Sequence, residues 1–206
     1  MQMPTGLYVV VDFETITPTG RSPEPIELAA IRFGVIASSR PDNEFCEFIK
    51  PPPGVGLTQF DIRQTGIVDR NLADARSAAD ILNQFDGFLT GTEILVAQNA
   101  KYEASIFSRL LPPTAKVNCL PFVDTIQLAK RILPGLTSYS LDSIATATRI
   151  EIPSSRHRAM VDVKLTRNVF ESLVAIGIDT HLIANSEDIK RIANIRVRRS
   201  DQLNLF

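Results

Sequence analysis

The chain reads as an α/β protein, a mixed β-sheet with helices packed on it. Three observations predict this class. Strand-like segments near 26–37 and 43–50 follow each other closely enough for antiparallel pairing. Beyond Pro51-Pro52-Pro53-Gly54, short apolar runs alternate with stretches of helical periodicity, the layout of parallel strands joined by helices. A hydrophobic content of 44% over 206 residues is ample for the core of one domain.

The elements follow in order. Leu7 to Val11 is a continuous apolar, β-branched run, the pattern of a strand covered on both faces, and a first strand is expected over 7–13. Further strands are expected at 26–37, at 43–50, at 94–97 where Ile94 to Ala97 is apolar, and just before Asp124. Helices are expected near 74–90, 99–111, 124–132, 139–147 and 159–177. Within the second, Tyr102, Ile106 and Leu110 recur at helical spacing, with Asn99 as the N-cap. The last carries the stripe Val161, Leu165, Val169, Leu173, Ile176, with Gly177 as its stop. Leu133-Pro134-Gly135 breaks the chain between the third and fourth of them. The chain divides into a main domain over 1–178 and an extension over 179–206, in which Ser186 caps a short helix reaching Asn194.

Four carboxylates and one histidine stand out as chemistry. Asp12 and Glu14 in VVVDFET alternate to one side of a strand. Two carboxylates forced together repel and lose hydration unless a cation or donor groups compensate, and hard divalent cations favour such oxygens. The alternative is a strand that ends at Asp12, with both acids solvated. Glu103 lies in the first turn of its helix, where it either ligates a cation or complements the helix dipole, worth about 0.3–1 kcal/mol. Asp162 sits beside the apolar stripe near a helix start. His157 lies in the polar stretch SSRHR, as a loop base or as a solvated surface residue.

The order Asp-x-Glu, Asn-Ala-x-Tyr-Glu, His-x4-Asp closely resembles the DnaQ-like, DEDDh family of 3′→5′ exonucleases. The resemblance runs from about Leu7 to Gly177 and includes PIELAAI (Pro25 to Ile31), Asp124-Thr125 opening a helix, and SLDSIA (Ser140 to Ala145). It implies a ribonuclease H-like fold and two divalent cations, Mg²⁺ or Mn²⁺, held by Asp12, Glu14, Glu103 and Asp162. It also implies His157 as general base and release of 5′-mononucleotides from nucleic acid 3′ ends. By the same likeness Thr15, Asn99 and Tyr102 help seat the terminal nucleotide. The second motif departs from the family's usual His-Asn-Ala-x-Phe-Asp. Glu103 is one methylene longer than the usual aspartate, and Mg²⁺ tolerates little distortion of its octahedral shell.

Net charge is −1, so long duplex DNA is not held by a global basic excess. The last residues offer a candidate tether: Gln202, Leu203, Leu205 and Phe206 of QLNLF resemble the bacterial sliding-clamp-binding pentapeptide. The alternative is that these apolar side chains fold back on their own domain. The reading is a clamp-tethered DNA exonuclease of proofreading or repair, with a DNA polymerase as a further candidate partner. Its rivals are an RNA-trimming relative of the same fold and a non-catalytic clamp adaptor with a decayed Glu103. Cys46 and Cys119 form no zinc cluster, and neither a membrane span nor a signal-peptide layout is visible, so a cytoplasmic location is expected.

Overall fold

The computed structural model describes residues 3–34, 43–154 and 158–195. Its centre is strand β1, Tyr8–Ile16, with β2 (Glu24–Phe33) antiparallel beside it and β3 (Asn43–Lys50) antiparallel to β2. Helices α1 (Gln59–Thr65) and α2 (Asp69–Leu72) lead to the two-residue strand β4 (Arg76–Ser77) and to α3 (Ala78–Phe88). Strand β5 (Ile94–Ala97) pairs parallel with β1 and is followed by α4 (Lys101–Leu110) and α5 (Lys116–Cys119). Strand β6 (Phe122–Asp124) pairs parallel with β5, after which come α6 (Thr125–Ile132), α7 (Leu141–Ala147), α8 (Ala159–Asp179) and α9 (Ser186–Ala193). The sheet order is β4-β3-β2-β1-β5-β6, a mixed sheet flanked by helices as expected.

Alternation along β1 divides the molecule. Tyr8 and Val10 enter a core with Val163, Val169, Phe170 and Leu173 of α8 and with residues of α6 and α7. Val9, Val11 and Phe13 enter another, with Ile81 and Phe85 of α3 and Ala104 and Phe107 of α4. Asp12 and Glu14 share the parity of Tyr8 and Val10, which places them on the α8 face. The strand continues to Ile16, three residues past the expected end, so both acids stand within it and not in a loop beyond it.

Several expectations are corrected. Asn99 does not cap α4: it adopts a left-handed φ of 61°, and Ala100 occupies the cap position. Gly177 does not stop α8, which runs to Asp179. The chain turns back there so closely that a Cβ on Gly177 would lie 2.5 Å from Ile183 Cδ1. Asn185, not Ser186, caps α9, its side chain accepting from the Glu187 and Asp188 amides while Asp188 returns a bond to the cap. Helix α3 begins at Ala78 because Ser77 caps it through the Asp80 amide. The short helices α1, α2 and α5 were not expected. The first stands on a capping box between Thr58 and Asp61, a Thr-x-x-Asp signature visible in the sequence.

Residues beyond α8 pack on the same cores. Ile183, Ile189 and Ala193 join the α8 side, and Ile195 joins the other, where its amide donates to Phe122 O at 2.8 Å. Among the described residues no helix is long and apolar enough to cross a membrane.

Candidate active site

The end of β1 and the first turn of α8 meet on one face of the sheet. There Asp12, Glu14 and Asp162 each offer a carboxylate oxygen, and the three lie within 4.8 Å of one another. Glu14 and Asp162 are buried and Asp12 is half-buried. Like charges held so close in a partly dry setting favour a cation of high charge density, and an all-carboxylate oxygen set suits Mg²⁺ or Mn²⁺. Two segments remote in sequence, β1 with Asp12 and Glu14 and α8 with Asp162, would not converge in this way through surface solvation of each acid alone.

Glu103 is not a member of that tight group. It projects inward from the first turn of α4, is 3% exposed, and its Oε2 has no hydrogen-bond partner among the described residues. Burial pushes its carboxyl up to about 8; a backbone amide partly opposes this and neighbouring Asp124 adds to it. A dipole-complementing glutamate would stay in solvent, so the buried, unsatisfied oxygen argues against that role. Its carboxylate chemistry fits a divalent cation, as ligand or through water.

Asp124 ends β6 and accepts hydrogen bonds from the Ile126 amide at 2.8 Å and the Asn99 amide at 3.2 Å. It therefore caps α6 while fixing the left-handed turn that aims α4, a role reaching beyond the helix opening expected from sequence. Its carboxyl is raised by burial, with the amide bonds and Lys101 pulling the other way.

Of the expected substrate residues, Thr15 and Tyr102 meet directly: Thr15 Oγ1 and the Tyr102 hydroxyl are 2.6 Å apart. A bulge separates Thr15 from Glu14, and the bond to Tyr102 sets Thr15 toward α4. Burial raises the Tyr102 hydroxyl pKa, the Thr15 bond lowers it, and the charges of Glu103, Asp12 and Glu14 raise it further. Tyr102 thus feels both the tight cluster and Glu103. Asn99 contributes its backbone to the turn described above. His157 and the tail residues Gln202, Leu203, Leu205 and Phe206 lie outside the described residues.

Sequence reasoning missed Glu27. It is 1% exposed and stands opposite Glu14 in the β1–β2 register, where it binds the Arg158 guanidinium. The signal was available, since a charged residue inside the apolar run Ile26–Ile31 must find a partner. A separate cavity of about 670 Å³ lies beside α4, α5, β6 and α9, lined among others by Ala104, Phe107, Val117, Phe122, Lys190 and Ile195. None of the clustered acids lines it.

A family profile described as Exonuclease (RNase_T) matches residues 9–170. The chain is 34% identical over 176 residues to the DNA polymerase III PolC-type of Thermotoga maritima, covering 83% of this chain and 12% of that protein. It is 31% identical over 170 residues to the corresponding protein of Lactococcus lactis subsp. lactis, covering 81% and 10%. The chain thus spans only 12% and 10% of the length of these two curated relatives. Among solved structures, it is similar to the nuclease domain of 3′hExo, a DEDDh family member bound to rAMP. The TM-score is 0.67 at 16% identity, covering 94% of this chain and 98% of that one. Exonuclease X in complex with 5′ overhanging duplex DNA gives 0.62 at 21% identity, covering 90% and 98%. Exonuclease I of E. coli in complex with a dT13 oligonucleotide gives 0.66 at 20%, covering 86% and 43%. These likenesses establish the fold.

Proposed function

The chain belongs to the DnaQ-like (RNase_T) exonuclease family, and from that premise we propose that it is a 3′→5′ exonuclease that removes 5′-mononucleotides from DNA 3′ ends. The observation that carries the reading is the convergence of Asp12, Glu14 and Asp162 within 4.8 Å. The PolC-type identity of the curated relatives supports DNA as substrate, with work beside a DNA polymerase in proofreading or repair.

Asp12, Glu14 and Asp162 would hold one divalent cation, and Asp12 with Glu103 a second. Such ions supply charge stabilisation for the attacking and leaving oxygens of an in-line displacement at phosphorus. The residues of this chain do the rest. Asp12, Glu14 and Asp162 place their negative charge where the substrate phosphate, itself anionic, is accepted only with cations present. His157 takes the proton of the attacking water, since a free imidazole has a pKa of about 6.5 and can accept near neutrality. Thr15 and Tyr102, locked to each other, form a rigid wall against which the terminal nucleotide is seated. The leaving 3′ oxygen takes a proton from solvent, and the nucleotide departs with its 5′ phosphate.

The remaining residues extend the proposal. Gln202 to Phe206 bind the bacterial sliding clamp and deliver a near-neutral protein to DNA that its own charge would not hold. The protein works in the cytoplasm. The decisive assay uses matched 5′-labelled single-stranded DNA, mispaired primer–template and RNA, each with Mg²⁺ and with Mn²⁺. Stepwise shortening of both DNA substrates in preference to RNA is expected, and faster loss of RNA would assign the protein to RNA trimming.

A further inference from the structure

We propose that Glu27 and Arg158 are positioning residues of the acidic cluster, Glu27 anchoring the start of α8 so that Asp162 meets Asp12 and Glu14. The proposal rests on the metal-site reading above. Its first support is a capping anomaly. Helix α8 is the longest in the described residues, yet its N-cap residue, Arg158, makes no side-chain cap hydrogen bond. The cap arrives from β2 instead, where Glu27 Oε2 accepts from the Ala159 amide at 3.0 Å. The same carboxylate receives Arg158 Nη2 at 2.9 Å and Arg158 Nε at 3.3 Å, a forked contact, and Cys46 Sγ stands 4.0 Å from Oε1.

The second support is how directly this anchor reaches the cluster. Arg158 O accepts from the Val161 amide at 2.8 Å and from the Asp162 amide at 3.1 Å. The peptide of Asp162 therefore hangs from the residue that Glu27 holds. On the sheet side, Glu27 is the cross-strand partner of Glu14, so the anchor and the cluster share one rung of the ladder. Rotation of α8 about its axis would break the Glu27–Ala159 hydrogen bond and strain a partly buried, forked ion pair.

The third support is electrostatic. The Arg158 guanidinium lies 5.5 Å over the Phe48 ring, partly exposed, and feels the charge of Glu14 as well as that of Glu27. While Glu27 neutralises it, Arg158 is committed away from the cluster. Without that carboxylate the guanidinium becomes a rival cation for Glu14. Removing Glu27 should therefore do two things: loosen Asp162 and set Arg158 against the metal.

Calorimetric titration of the full chain with Mn²⁺ tests this, with cleavage of a 5′-labelled oligonucleotide alongside. Glu27→Gln keeps shape and an acceptor but loses the charge, and should weaken Mn²⁺ binding by roughly 10–100-fold, the usual effect of removing a group that orients metal ligands. Turnover should fall while KM for the oligonucleotide stays within about threefold of wild type. The double variant Glu27→Gln/Arg158→Gln should bind Mn²⁺ no more weakly than Glu27→Gln alone, because the rival cation is gone; still weaker binding in the double variant would overturn the role of Arg158 as a rival cation. Should Glu27→Gln not fold, Arg158→Lys keeps charge without the fork and should lower Mn²⁺ affinity by about tenfold. Wild-type Mn²⁺ affinity in the folded single variants would overturn the proposal while leaving the metal site standing. Failure of the wild-type protein itself to bind Mn²⁺ would overturn the metal site, and this inference with it.

Discussion

At the scale of single residues, the acids differ in what their loss removes. Asp12 and Asp162 supply charge at the cluster and little core volume, so Asp12→Asn and Asp162→Asn should keep the melting temperature measured without metal while lowering nucleotide release by roughly 10³-fold or more. Near wild-type release from either would remove that residue from the site. His157→Ala should slow turnover by about 10²–10⁴-fold with Mn²⁺ affinity little changed, and an unaltered rate would mean another base. Glu103 answers to pH. Its carboxyl sits at about 8 in the folded chain against 4.5 for an ordinary glutamate. Between those values the folded chain holds a proton that the unfolded chain has shed, so the metal-free protein should lose stability as pH rises through that window. Urea titrations at pH 5, 7 and 8.5 should show this slope, and Glu103→Gln should flatten it. Glu103→Asp should keep far more nuclease activity than Glu103→Gln, because charge outweighs one methylene at a hard cation.

At the scale of elements, periodicity made the long helices and the sheet legible, whereas contacts made at a distance were not. Asp12 and Glu14 are two residues apart on a strand, so their shared face followed from alternation. That α8 would cover that face did not, because it depends on which core Tyr8 and Val10 choose. Glu103 was legible as a first-turn acid but not as a buried one, since its depth is set by the Asp124-held turn at Asn99. Gly177 shows the same limit: a glycine near a helix end reads as a stop, and only the returning chain reveals a contact. Gly177→Ala gains helix propensity of about 1 kcal/mol but drives a methyl into Ile183, which is 2% exposed. Overpacking of this kind costs about 1–3 kcal/mol, so a net loss of up to about 2 kcal/mol is expected in urea unfolding. A gain in stability would show that Ile183 yields.

At the scale of the whole molecule, delivery and chemistry are expected to separate. Deleting Gln202 to Phe206 should leave activity on short free oligonucleotides unchanged, yet abolish calorimetric binding to a bacterial sliding clamp. Equal binding by the full and shortened proteins would refute the tether. The peptide alone should bind modestly, since ordering it offsets much of the roughly 1.5–3 kcal/mol gained per buried large apolar side chain. The division of the molecule by β1 into two cores bears on more than packing. Asp162 belongs to the helices on one side and Glu103 to those on the other, with Asp12 and Glu14 on the wall between. A cation pair gripping all four would act as a rivet through that wall. At a hundred times its dissociation constant a ligand adds about 2.7 kcal/mol to stability. Chelation should therefore speed amide exchange in the first turns of α4 and α8 together, while β1 and β2 stay protected. Two layers that loosen in concert when their metal is withdrawn would make cellular magnesium a structural component of this nuclease as well as a reagent.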